Sequence, residues 1–213
     1  MFGFNLKPQP ETEPGHIEDI QATELLREDH RKVKGLFDEF ESTEEADAKR
    51  RLCEKTLIEL TVHAKLEEEL FYPAARKQLQ DEDLMDEADE EHHVAKLLIG
   101  ELASMTPSDK HYDAKYSVLA ESVRHHIKEE EEEILPKIEK SGFDLETLGQ
   151  EMAERKLSLA AEVTLESIRE EAPREVEDLV SVPSRKAAKR SGGSRSSSRR
   201  VGGRSRSRAK AKA

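Results

Sequence analysis

Along most of this chain, apolar positions recur at steps of three and four residues. That period stacks side chains on one face of a helix. A first helical pattern begins at Ile17, and its stripe holds Ile20, Leu26, His30, Val33, Phe37 and Phe40. The stretch "ESTEEAD" interrupts it, with Ser42 or Thr43 as the expected N-cap of the next helix. That second helix is predicted from about Glu44 to Tyr72, with Leu52, Thr56, Leu60, His63, Glu67 and Leu70 on its stripe. Pro73 should end or kink it, because proline has no amide hydrogen and its ring crowds the preceding turn. A third helix, about Asp83 to Met105, carries Met85, Ala88, His92, Ala95, Ile99 and Leu102. After "TPSD" a fourth runs from about Tyr112 to Lys140, with Leu119, Val123, His126 and Glu130 on one face. Gly142 suits the left-handed residue that closes such a helix. A fifth helical segment, about Leu145 to Glu171, is strongly charged and is expected to pack only in part.

The chain contains no run of alternating strand residues and no hairpin-turn signal. The economical architecture is all-α: an up-down-up-down four-helix bundle with short loops, an additional C-terminal helix and disordered termini. In residue terms this gives a flexible lead-in over 1–16, a bundle over 17–143, a charged helix over 144–172 and a basic tail over 173–213.

The first pair of helices repeats in the second. "REDHRKVKGLFDEF" (Arg27 to Phe40) aligns with "DEEHHVAKLLIGEL" (Asp89 to Leu102), matching Asp29 with Glu91, Lys34 with Lys96 and Phe40 with Leu102. "HAKLEEELFYP" (His63 to Pro73) then aligns with "HIKEEEEEILP" (His126 to Pro136). The bundle is thus read as a duplicated helical hairpin.

In this register each of the four helices sets one histidine on its apolar stripe: His30, His63, His92 and His126. The second and fourth add Glu67 and Glu130, one turn beyond a histidine, so that both side chains of each pair reach the same spot. Among adjacent histidines the stripe selects His92, flanked by Ala88, Ala95 and Ile99, over His93, whose equivalent neighbours are Asp89, Lys96 and Gly100. His126 is selected over His125 by the repeat. Any one such histidine is more often an ordinary core residue, and the run Glu129 to Glu133 alone reads as a solvated face. Four histidines and two carboxylates in a duplicated frame are another matter. Buried without partners they would be very costly, and a transition metal would satisfy all six. Imidazole suits iron, zinc, copper or nickel, and carboxylate oxygen shifts the preference towards iron or manganese.

Composition sharpens this picture. Hydrophobic residues make up 35% of the 213 and charged residues 38%, so the core is narrow. No apolar run approaches a membrane span, and "MFGFNLKPQP" lacks the features of a signal peptide. The single cysteine, Cys53, excludes an internal disulfide and is read as a small buried side chain. A cytoplasmic protein is expected. The net charge of −12 conceals a split: Ser184 to Ala213 hold twelve Lys or Arg and no acidic residue, whereas the preceding residues hold 23 basic and 47 acidic ones. Glycine-rich phosphate loops, Cys-x-x-Cys and Gly-x-Ser-x-Gly are all absent.

The motifs at Asp29–His30, "HAKLEEELFYP", "EEHH" and "HIKEEEEEILP" resemble those of the hemerythrin-like, or HHE cation-binding, family over about residues 20–160. The resemblance implies a non-haem centre of two irons, oxo- or hydroxo-bridged, with zinc or manganese as alternatives. Its implied ligands are His30, His63, Glu67, His92, His126 and Glu130, with the two glutamates bridging. One position departs from the oxygen-carrying members. They place a second histidine four residues after the first on the third helix, where this chain has Lys96, which argues against reversible oxygen carriage.

Two six-coordinate irons offer about twelve positions. Four histidines and two bridging carboxylates leave about four open. The functional expectation is therefore binding or sensing of O2, NO or peroxide, with modest peroxidase or reductase turnover as its enzymatic form and no catalytic side chain assigned. Two alternatives stand beside it. One is iron or zinc handling with a structural metal. The other is non-specific association with nucleic acid through residues 184–213, which contain no aromatic residue to stack on bases.

Overall fold

The computed structural model describes residues 20–172. The expected lead-in and basic tail lie outside them. Eight helices make up the described residues, with no strand: α1 (Ala22–Glu41), α2 (Ala46–Leu66), α3 (Tyr72–Leu79), α4 (Glu82–Ala103), α5 (Tyr112–Glu129), α6 (Leu135–Lys140), α7 (Leu145–Glu162) and α8 (Leu165–Glu171). Two π-helical turns, Glu67–Phe71 and Glu130–Ile134, join α2 to α3 and α5 to α6, so each pair is one long rod.

The four rods form the expected bundle. α1 packs on α2 and α4 on α5, the two hairpins of the duplication. Where α1 meets α5, Phe40 stacks on Tyr116 with centroids 3.6 Å apart, and the Tyr116 hydroxyl is 2.8 Å from that of Thr56. This aromatic layer closes the end of the bundle remote from Pro73 and Pro136. Cys53 is buried in the same core, and burial pushes its thiol up to about 11, so it is inert as a nucleophile. Among the described residues, no helix is long and apolar enough to cross a membrane.

Local details depart from the sequence reading at four places. Pro73 does not end its rod, which continues to Leu79. The π turn carries one extra residue, and Pro73 falls in the first turn after it, where a missing N–H removes no regular bond. Ser42 and Thr43 do not cap α2. Their hydroxyls donate back to the Glu39 carbonyl, closing α1, and the Glu45 side chain accepts from the Asp47 and Ala48 amides instead. The fifth segment is divided at Thr164, whose hydroxyl accepts from the Ser167 amide while Ser167 Oγ accepts from the Thr164 amide. This capping box starts a new helix. That fifth segment is also well packed: Leu145, Leu148, Met152 and Leu159 are buried, and α7 lies against α1 and α2. Gly142 has the left-handed conformation foreseen for it, with φ of 76°.

Gly149 lets α7 approach α1 this closely. A Cβ there would stand 2.0 Å from the Ile20 carbonyl oxygen and 2.8 Å from the Ala22 amide. Both are backbone atoms that cannot swing aside. Gly149→Ala is expected to destabilise the protein by about 2–3 kcal/mol through overpacking, lowering its melting temperature by roughly 5–10 °C. An unchanged thermal melt would show that α7 does not hold α1 at this distance.

Candidate metal centre

All six sequence-predicted residues converge on one buried place in the middle of the bundle. His30 and Glu67 are fully buried, Glu130 is 1% exposed, His63 and His92 are 5% exposed and His126 is 7% exposed. Each comes from a different turn of the duplicated frame: His30 from α1, His63 from α2, His92 from α4 and His126 from α5. Glu67 and Glu130 open the two π turns. A π turn widens the helix just where the carboxylate leaves it, which aims the side chain into the bundle.

The donor atoms fall into two overlapping groups, each with its atoms within 4.8 Å of one another: His30, His63, Glu67 and Glu130, then Glu67, His92 and His126. In the first, His30 Nε2 is 3.1 Å from Glu130 Oε2 and His63 Nε2 is 3.2 Å from Glu67 Oε1. In the second, His92 Nε2 is 3.2 Å from both Glu67 Oε2 and His126 Nε2. Glu67 thus offers one oxygen to each group. The relation between halves follows the duplication: His30 and His63 meet edge to face with centroids 4.9 Å apart, and His92 and His126 do so at 4.7 Å.

Residues 21–138 match the protein family described as the hemerythrin HHE cation binding domain. This chain belongs to that family. A crystal structure of a hemerythrin HHE cation binding domain-containing protein from Mycobacterium kansasii superposes with a TM-score of 0.59 at 26% identity, covering 67% of this chain and 89% of that one. An uncharacterized hemerythrin-like protein of Schizosaccharomyces pombe is 27% identical over 130 residues, 60% of this chain and 64% of that protein. A protein of Nostoc named DNA nickase is 28% identical over 120 residues, 56% of this chain but 34% of the nickase. The match thus spans about a third of one curated relative and just under two thirds of the other.

Behind the inward atoms of this hemerythrin-like centre stands a ring of carboxylates. His30 Nδ1 is 3.0 Å from Glu131, His92 Nδ1 is 2.9 Å from Glu68, and His126 Nδ1 is 2.8 Å from Glu91. His63 Nδ1 faces Asp29 at 3.8 Å, too far for a hydrogen bond. Burial raises the carboxyls of Glu68, Glu91 and Glu131, but histidines beside all three, joined by Lys96 at Glu68 and Lys34 at Glu131, outweigh it and hold them below the usual range. Ionised, they can only accept, so Nδ1 donates and the Nε2 lone pair is left pointing inward. Beyond them lies a layer of cations: Lys34 on Glu131, Lys96 on Glu68 and Lys156 of α7 on Asp29. Lys96, which stands where the oxygen carriers have a histidine, is therefore turned outward.

The sequence reading had no role for this ring, although its signal was present. Asp29 and Glu91 each precede a stripe histidine, and Glu68 and Glu131 each follow a π-turn glutamate, at matched positions of the repeat. Tyr72 was missed as well. Its hydroxyl is buried 3.2 Å from His92 Nε2 and 3.3 Å from His126 Nε2. The matching residue in the other half is Leu135, so the two donor groups are chemically unlike. His93 and His125 are both exposed, as the stripe indicated for the first and the repeat for the second.

The donor set fits a metal. Eight buried side-chain polar atoms among the described residues lack a hydrogen-bond partner, and all belong to Asp29, His30, His63, Glu67 and Glu130. Folded proteins rarely tolerate such orphans, let alone a cluster of them. Donors about 3.2 Å apart also match the edge of a coordination shell with bonds of about 2.0–2.1 Å. The electrostatics agree. Burial and the charge of Glu130 hold the Glu67 carboxyl well above its usual range. Burial also pushes Glu130 up, but His30 outweighs it and keeps that group down near 2. Burial brings His63 down to about 4, so its imidazole is neutral and able to ligate. Protein atoms alone leave two buried carboxyls that cannot both ionise, and cations between them would remove the conflict.

Proposed function

We propose that this hemerythrin-like chain holds a non-haem di-iron centre that binds or senses a guest of two or a few atoms: O2, NO or peroxide. One observation carries the reading. A cavity of about 30 Å³ lies against the centre, lined by Leu60, Ala64, Ala95, Ile99 and Val123 together with Glu91, Lys96 and Ser122, and reaching His63, His92 and His126. A cavity of about 10–15 Å³ already holds one water, so a guest of two or a few atoms fits here.

In this reading His30, His63, Glu67 and Glu130 would hold one iron, and Glu67, His92 and His126 the other. Bound iron would supply one-electron redox chemistry and open coordination positions. The chain's own residues do the rest. The carboxylate ring fixes the imidazole tautomers and raises their basicity. The largely apolar lining suits an uncharged guest. The Tyr72 hydroxyl stands at the His92–His126 side, where it can join the donors or hydrogen-bond a guest. Only two of the six assigned donor residues are anionic, against four glutamates in ferritin-like centres, which favours electron-rich or reducible guests over stored metal.

The test is metal analysis with ultraviolet–visible spectra of iron-supplied protein, before and after NO and hydrogen peroxide. Two irons per chain and guest-dependent bands are expected. A single zinc, silent in the visible and unresponsive to both guests, would turn the reading to a structural metal.

A second reading, association with nucleic acid, rests on the twelve Lys or Arg of residues 184–213 and on the likeness to a protein named as a nickase. It predicts salt-sensitive, sequence-independent retention on duplex DNA that is lost when 184–213 are deleted. Retention unaffected by the deletion would remove that segment from the account.

A further inference from the structure

The duplication is broken at one place in the ring around the centre. In the first half Asp29 is met by Lys156 of α7, and the neighbouring α2 positions are the buried Val62 and Leu66. The matching place in the second half has Glu91 on α4, with His125 and Glu129 on α5. Among the described residues, neither Glu91 nor Glu129 pairs with a lysine or arginine. Glu91 gives Oε2 to His126 Nδ1 and turns Oε1 towards His125 Nδ1, 3.1 Å away. Glu129 stands 3.6 Å from the same nitrogen, one helical turn along. These three side chains bring an imidazole nitrogen and two carboxylate oxygens within 4.8 Å of one another at the surface.

A second feature ties this cluster to the interior. A crevice of about 10 Å³ lies beside it, lined by Glu87, Glu91 and Glu129 on the outer side and by His126 and Glu130 on the inner, with Leu84, Ala88 and Ile134 completing its walls. Glu130 is 1% exposed, and both its oxygens lack hydrogen-bond partners. A doubly charged ion cannot cross apolar packing unpartnered. Here Glu91 and Glu129 at the outer side and Glu130 at the inner side line one crevice. The cavity that would admit a neutral guest shares Glu91 and His126 with this crevice and extends from them along Leu60, Ala95 and Ile99.

We propose that Glu91, His125 and Glu129 form a docking site for a divalent transition metal, at the mouth of a carboxylate-lined route that loads the buried centre. The inference rests on the reading of that centre as a metal site. One imidazole and two carboxylates neutralise a 2+ charge and favour Fe²⁺, Mn²⁺, Co²⁺ or Zn²⁺ over Ca²⁺ and Mg²⁺. The second half of the duplication thus takes an exchangeable cation where the first half has Lys156.

Co²⁺ added to the metal-free full-length chain tests it through visible spectra and equilibrium dialysis. The unaltered protein should bind three ions and His125→Ala two. Glu129→Gln should reach the same final spectrum of the buried ions but load them about tenfold more slowly, the effect of removing one charge from a focusing cleft. Equal ion counts in the unaltered protein and His125→Ala, or loading of Glu129→Gln at the unaltered rate, would overturn the docking site. A His63→Ala variant that binds as many ions as the unaltered chain would overturn the buried centre, and the loading route with it.

Discussion

Stripping the centre with a strong chelator should lower the melting temperature by about 10–20 °C. Ligand that binds only the folded state stabilises it by about 2.7 kcal/mol when present at a hundred times its dissociation constant. Two such ions contribute about 5 kcal/mol, and each kcal/mol moves the transition of a chain this size by about 2–4 °C. The structure says why the loss is large. Without cations, Glu67 and Glu130 face each other and the Nε2 atoms of His30 and His63 with no hydrogen bonds. Differential scanning calorimetry with and without chelator, followed by metal add-back, checks this. A transition that does not move would mean that the folded and unfolded chains bind metal equally, or that the centre binds none.

Glu67→Gln should lose both ions and yet make the metal-free protein more stable. Glu67 is shared by the two donor groups, one oxygen to each, whereas Glu130 belongs to the first group alone. An amide keeps the shape but offers only one weak donor oxygen, so neither group is complete. In the metal-free chain the same change removes a fully buried, unpartnered carboxyl. Buried acceptors left unsatisfied cost about 1–3 kcal/mol, and the amide brings two N–H donors to the free oxygens of Glu130 and the Nε2 of His63, which a carboxylate cannot serve. The chelated variant should therefore melt above the chelated unaltered protein by roughly 2–10 °C. Opposite signs for metal binding and metal-free stability distinguish a functional carboxylate from a structural one. A variant that melts lower and still binds two ions would contradict the shared role.

The helical period alone carried most of the architecture. The apolar steps in each half, and their repetition, specify four rods and two hairpins, because a stripe at this period can be buried only against other helices. The same stripe put His30, His63, His92, His126, Glu67 and Glu130 on inward faces and turned His93 out, and the repeat chose His126 over His125. The family resemblance of the motifs was legible for the same reason: ligand spacing along a helix is a local property.

What lay beyond reach were relations between elements. No periodicity announces that the Glu67 and Glu130 turns are π-helical, that Tyr72 rather than Leu135 reaches the histidines, or that Gly149 admits α1 so closely. Asp29, Glu68, Glu91 and Glu131 look like ordinary surface acids until the packing of the four rods brings each to the Nδ1 side of a histidine on another helix. Lys156 belongs to a segment that seemed only loosely attached, and packing alone set it on Asp29. The amino-acid order by itself determined which side chains point inward, since that depends on 3.6 residues per turn. Only the tertiary structure decided what each inward atom meets, since hydrogen bonds, cavities and donor spacings of about 3 Å are set by how separate rods lie against one another.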